Sequence, residues 1–403
     1  MLTPCVLVVA LVLAETTGQP TFTIHTSTAG PRTGHIDALA ADGKLSLGTS
    51  TIAAGTLVSL RRMDVPMPPG PSEPHLLLAN GDRVPGKIDR IDGETVRFLP
   101  AWQGDVPKEA RLLIPLSAIA VLWYEPGALA GLDPLDRAWL TETRTRDVVL
   151  LRNGDKITGT LTGGSADGRQ LWLEANKIDV QRVAAVAGNT ALLRRPKLKA
   201  AYARVVLRNG GRVSLTSATA DELAVVGKPW FGGQVRIPWA EVVAYDVLLG
   251  PATYLHELTP TQYEQRPFSA SQLPPWPLGK ATSVGGRPLR LRTPLGSSTF
   301  DHGIGLHSFA RVTYALDGAY STFEATVGLH DHADAGHRGN VRVQVLVDQP
   351  PRPGADAVLT LANGPLLVRI DVKQAKTLTL LVDYGTGGDV QDHVDWGDAR
   401  LIR

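Results

Sequence analysis

Thiols are nearly absent from this chain: one of its 403 residues is cysteine, Cys5, inside an apolar N-terminal stretch. Loss of that stretch would leave no thiol. Disulfides, thiolate nucleophiles, cysteine-ligated zinc and iron–sulfur clusters are then excluded together. An excess of charge is missing too. The 41 Lys and Arg against 39 Asp and Glu leave a formal +2, which gives no electrostatic footprint for nucleic acid. Beyond residue 252 the balance is 14 basic to 15 acidic residues, so neither part is a charged arm. No apolar run reaches 18 residues, so no membrane span is expected. Gly (41) and Pro (29) are abundant but follow no period, which excludes collagen. The 43% hydrophobic share argues against a mostly disordered chain. What is left is a globular chain long enough for two or three domains.

Residues 5–14 form a ten-residue apolar run, too short for a bilayer and of the right length for an export signal. Small residues follow it, although residues 1–4 carry no Lys or Arg. Residues 1–18 are read as a signal peptide and the protein as secreted or periplasmic.

The first 250 residues read as a repeat of short β units. Three stretches, 76–88, 149–161 and 205–215, each set an Asn-Gly pair between an apolar strand and an alternating one: Asn80-Gly81, Asn153-Gly154 and Asn209-Gly210. Asn-Gly favours a two-residue type I′ hairpin, with both residues at positive φ. Further strand follows at 95–98, 170–173 and 222–226. Two units close with an apolar strand after Pro115 or Pro238. The Asn positions are 73 and 56 residues apart, too irregular for a strict solenoid. The units are assigned to 71–130, 144–190 and 200–250, with a degenerate copy at 19–70. Their size and pattern suggest small, SH3-like β-barrels, an analogy of fold that names no ligand. Residues 132–143 are the one helical candidate. Trp102, Trp123, Trp172, Trp230 and Trp239 suit core positions better than ligand platforms. The Pro-rich segment 267–277 reads as a surface loop, and the domain boundary falls near 250.

The last 150 residues alternate apolar with polar at 289–293, 311–316, 322–327, 341–347, 366–372 and 377–383, as half-buried strands do. With no long helix between them, they predict an antiparallel β-sandwich. The fold class is therefore all-β: small barrel-like repeats, then a sandwich. Seven of the ten His lie after residue 252, with 12 Asp but only three Glu. They concentrate at 330–337 and 389–398, read as loops.

Three ordered motifs, 300–308, 314–328 and 392–399, together with the opening segment 254–260, resemble the NPCBM domain. This is a carbohydrate-binding module first noted beside family-98 glycoside hydrolases. The resemblance covers 253–403. It implies a galactose-binding-like jelly roll that recognises sugar at the loops of one end, and relatives among the family-51 modules can hold a structural calcium. The sequence departs from the pattern at 329–339, where His330 precedes Asp331.

Sugar recognition needs side chains that make directed bonds to hydroxyls and a ring for the C–H face. His307, Asp331, His332, Asp392, His393 and Trp396 are of those types. Structural roles stand beside this reading: Trp396 as a core ring, His307 bonded to backbone, Asp392 and Asp395 locking a turn. Asp331, Asp334, Asp392 and Asp395 offer oxygens suited to calcium. His330, His332 and His337 form a weaker zinc set. Asp392, Asp395 and Asp398 lie within seven residues on one predicted loop, whereas a glycosidase sets its two carboxylates on either side of the scissile bond. No nucleophile elbow, zincin motif or phosphate loop is present. The sequence therefore reads as an exported, non-enzymatic protein binding a carbohydrate, of galactose type by the resemblance. The competing reading is a cell-envelope scaffold that contacts envelope proteins and has a sugar-silent jelly roll.

Overall fold

Strand periodicity carries through to the architecture, which is all-β. The computed structural model describes residues 19–403 apart from 105, 108–109, 130–131, 137, 269–273, 332–338, 349–351 and 387. The predicted signal segment, His332, Asp334 and His337 lie outside the described residues.

The three Asn-Gly hairpins are built alike, but not as type I′ turns. In the first, Gly81 N–H donates to Leu78 O (2.9 Å) and Leu78 N–H to Asp82 O (2.8 Å). Leu151/Gly154/Asp155 and Leu207/Gly210/Gly211 repeat this pattern. Only the glycines take positive φ, at 89°, 91° and 82°. This is a three-residue loop, a type I turn closed by a glycine bulge. The Asn side chains explain the preference: Oδ1 of Asn80, Asn153 and Asn209 each accepts the N–H two residues on, at 3.2 Å.

Each unit ends in a short 3-10 turn and a buried strand: Leu116–Ala118 into Ile119–Trp123, Val180–Arg182 into Val183–Ala187, and Trp239–Glu241 into Val242–Leu248. In the middle unit Asp179 stands where the others have Pro, and it caps the turn by accepting from Gln181 N–H. That substitution hid the middle closing strand from the Pro signal. The closing strands also join the units. Ile119–Trp123 pairs with both His75–Leu78 and Val183–Ala187. Val242–Leu248 pairs with Tyr202–Leu207 and with Leu57–Arg62, the last strand of the first, degenerate unit. The result is one 19-stranded network around a shared core that includes Phe22, Phe98 and Trp239. Among the described residues the units are not separate closed barrels, because each closing strand pairs with a neighbouring unit as well as with its own. The predicted helix shrinks to Ala138–Thr141. Asp133 and Asp136 accept from Leu135 and Ala138 N–H, local bonds that compete with helix.

The C-terminal domain is a sandwich of a six-stranded and a five-stranded sheet. Its core includes Val312, Phe323, Val343, Leu380 and Trp396. The segment read as an acidic loop is largely strand: His393–Ile402 runs through the six-stranded sheet, between Gly303–His307 and Thr322–Leu329. A bulge at Asp398, with φ 50°, shifts its register. Val394, Trp396, Ala399 and Leu401 thus all reach the core. Asp398 and Arg400 fit because they find partners on the other face.

Those partners dock the two domains. Val58 packs with Ala252 and Ile402. Arg61 bridges Asp246 of the repeats (2.5 Å) and Asp398 of the sandwich (2.8 Å). Arg400 donates to Ser59 Oγ (2.9 Å) and to Glu324 (3.0 Å), which also pairs with Arg369. Asp398 is pushed up by burial, but Arg61 and Arg400 outweigh this and hold it below the usual carboxylate range.

Candidate functional site

One end of the sandwich gathers aromatic and polar side chains. His307 and His393 are register partners on neighbouring strands. Their rings meet edge to face at 5.2 Å. Trp276, from the Pro-rich segment, stacks on His307 with ring centres 5.1 Å apart and planes at 15°. It meets the His393 ring edge-on at 5.3 Å. Its backbone is held on both sides: Trp276 N–H donates to Gln265 Oε1 (3.0 Å), and Tyr263 OH donates to Trp276 O (2.7 Å). The indole is 39% exposed while His307 is buried, so Trp276 keeps a solvent-facing surface over a fixed support.

The polar groups are set by chemistry below the rings. His307 Nδ1 lies 2.7 Å from Ser308 O, which only accepts, so Nδ1 carries the proton and Nε2 is the acceptor nitrogen of the neutral ring. Asp392 accepts from Ser308 Oγ (2.6 Å) and from Asn340 N–H (3.1 Å). Burial raises its pKa, and those bonds offset this only in part. An exposed indole face beside imidazole nitrogens suits the C–H face and hydroxyls of a sugar.

The other predicted residues go elsewhere. Asp395 is fully buried; its Oδ2 contacts His330 Nδ1 at 2.6 Å and accepts from Arg290 N–H at 2.8 Å. Asp331 bonds Arg292 through its carboxylate (3.0 Å), and its carbonyl accepts from both Arg290 Nε and Nη2. Burial raises the Asp331 pKa, but the Ser297 hydroxyl and Arg292 bring it below the usual range. These contacts clamp the hairpin of Leu289–Thr293 and Gly296–Phe300 to the sheet. His330 N–H donates to His393 O (2.8 Å), so the clamp adjoins the aromatic shelf, yet its carboxylates serve the hairpin. Trp396 is buried in the core near Phe323 and offers no face to a ligand.

The sequence reading therefore assembles in part. His307, Asp392 and His393 come together, Asp331 and Asp395 form the neighbouring clamp, and Trp396 belongs to the core. Trp276 is the aromatic that the sequence reading passed over. Its signal was there in 274–277, a tryptophan between prolines, where a stiff exposed segment holds a ring outward. Among the described residues, no three His, Cys, Asp or Glu side chains gather to hold a metal ion. Asp331 and Asp392 spend carboxylate oxygens on protein donors, and Asp395 spends Oδ2, while its buried Oδ1 has no donor among the described residues.

The model of one family aligns with this part of the chain. Residues 253–402 match the NPCBM/NEW2 domain. This is the family that the motifs of 253–403 resemble. Similar solved structures include the CBM51 of Clostridium perfringens GH95 in complex with methyl-galactose. It is 25% identical, covers 37% of this chain and 99% of that one, and has a TM-score of 0.33. The M60 catalytic domain with two CBM51 domains from C. perfringens ZmpB is 25% identical, over 46% of this chain and 18% of that one, with a TM-score of 0.34. The tandem CBM51 modules of Sp3GH98, a family 98 glycoside hydrolase of Streptococcus pneumoniae, are 12% identical over 74% and 95%, with a TM-score of 0.33. No curated protein matches the chain. No helix among the described residues is long and apolar enough to cross a membrane.

Proposed function

We propose that this is an exported, non-catalytic carbohydrate-binding protein whose NPCBM-like domain takes a terminal sugar on the shelf of Trp276, His307 and His393. The observation that carries this reading is the half-exposed indole of Trp276, stacked on a buried histidine at the end of the sandwich. Trp276 would cover the apolar face of the ring. His393 and the Nε2 of His307 would bond its hydroxyls, and Asp392 would hold the backbone beneath them. A galactose-type sugar is the first candidate, from the motif resemblance. The apolar run at 5–14 supports export to the periplasm or beyond.

The test is a glycan array with the full chain, run with calcium and with a chelator. The expected result is binding to a defined terminal sugar that Trp276→Ala abolishes. Binding insensitive to the chelator would remove calcium from the site. A folded chain that binds no sugar in either condition would refute the reading.

A further inference from the structure

A second polar site lies away from this shelf, where the repeats meet the sandwich. A cleft of about 380 Å³ opens there, lined by Arg83, Arg204 and Arg212 of the repeats and by Arg287 and Asp301 of the NPCBM-like domain. That volume suits a ligand of one or two sugar rings.

The arginines are not equally engaged. Arg212 spends its whole guanidinium on the fold. Nη1 donates to Pro69 O (2.7 Å) and Gly210 O (2.6 Å), Nη2 to Pro68 O (2.8 Å) and Asp301 (3.1 Å), and Nε to Asp301 (3.0 Å). Among the described residues Arg83 makes one bond, from Nη2 to Leu135 O (3.0 Å), and its buried Nε has no acceptor. Arg204 reaches Asp82 only at 3.4 Å, and its buried Nε likewise has no acceptor among them. Asp82 is already committed to the N–H and hydroxyl of Ser214, both at 2.8 Å.

Charge separates Arg83 from Arg204. At the floor Arg83, Arg204 and Arg212 face Asp82 and Asp301; burial lowers the Arg204 pKa, but Asp82 and Asp301 raise it above its usual value. Arg83 and Arg212 are moreover direct cross-strand partners. Like charges placed opposite each other in a ladder are destabilising, and a fold retains such a pair at a cost. Burial, then Arg212, brings the Arg83 pKa down to about 10. At the rim Asp133 and Asp136 are exposed and accept from nearby backbone N–H groups; Asp301 and Asp133 offset part of the effect on Arg83.

The geometry points to an oxyanion-binding site in this interdomain cleft, with the forks of Arg83 and Arg204 taking the carboxylate, sulfate or phosphate group of an acidic ligand. Planar guanidinium groups bind such anions through paired, charge-assisted bonds. The site does not depend on the sugar shelf, and an anion here would also relieve the repulsion between Arg83 and Arg212.

The test is calorimetric titration of the full chain with inorganic sulfate, with inorganic phosphate, with glucuronate and with glucose, at low and moderate salt. At least one anion should bind, more weakly as salt rises, while glucose should not. Arg83→Gln and Arg204→Gln should each weaken that binding tenfold or more. Preference for glucuronate would assign an acidic sugar, and preference for sulfate or phosphate an inorganic or ester group. Arg83→Lys keeps the charge but loses the fork, and should still weaken binding. In a thermal melt, the bound anion should raise the midpoint of the wild type and not that of Arg83→Gln. Absence of anion binding, or equal binding by wild type and both Gln variants, would overturn the proposal.

Discussion

Two tryptophans of the sandwich illustrate how much a residue's role depends on where its ring ends up. Trp396 lies in a strand whose neighbours fill the core, and Trp276 lies on a segment whose prolines keep it at the surface. Trp396→Ala should cost about 3–5 kcal/mol of stability, the usual cost of emptying a large buried site. Trp276→Ala should change the urea midpoint little and remove sugar binding. Measuring unfolding and glycan binding on both variants checks the pair, and a Trp396 variant of wild-type stability would contradict the core assignment. Residue type marks several polar candidates around 392 in the sequence. It could not separate them, because Asp392, Asp395 and Asp398 differ in their partners alone: Ser308, His330 and Arg61.

At the scale of the element, the three hairpins form an internal control. Gly154 and Gly210 have similar positive φ and the same hydrogen-bond pattern. A Cβ on Gly154 would meet nothing within 4 Å, whereas one on Gly210 would fall 2.4 Å from Pro69 O and 2.6 Å from Gly70 C. Gly154→Ala should therefore cost about 1 kcal/mol, the strain of the backbone conformation alone. Gly210→Ala should cost clearly more, since packed backbone must also move. Chemical denaturation of the two variants decides this, and equal losses would argue against the close approach. The hairpins were legible in the sequence because their signal is local. The strand 393–402 was not, because Asp and Arg in alternation look solvated until the opposing domain is in place.

For the whole molecule, the domain contact is rich in buried charge. Arg61→Met would leave Asp246 and Asp398 without their shared cation, and a buried charge stripped of its partner costs about 3–5 kcal/mol. The loss should appear as a lower denaturation midpoint. A midpoint unchanged within error would mean that the bridge is not formed in solution. Histidines add a pH dependence. Burial lowers the pKa of His302, between Tyr254 and His256, to about 4, and that of His25, beside Arg400 and Arg61, to about 3. Glu324 lies 3.5 Å from His25, but Arg400 and Arg369 already neutralise it. Below pH 6.5 the unfolded chain takes up protons that the folded rings refuse. Stability should thus be flat in this respect above about pH 7 and fall as the pH drops from 6.5 toward 4. The loss is of order 1.4 kcal/mol per pH unit for each ring once the unfolded chain is protonated. Urea unfolding at pH 7.5, 6 and 5 reads it out, and His302→Gln should flatten the slope.

By itself the sequence determined the all-β class, the repeated hairpins and the resemblance of 253–403 to a carbohydrate-binding domain. Each of these rests on periodicity, turn chemistry or contiguous motifs, which act over a few residues. Tertiary structure decided how the units share their strands, which acid serves the shelf and which the clamp, that Trp276 is the exposed ring, and where three arginines meet. Those outcomes depend on partners far apart in the chain. Arg61 and Asp398 are separated by 337 residues, and no local pattern encodes that two charges so distant will be buried against each other.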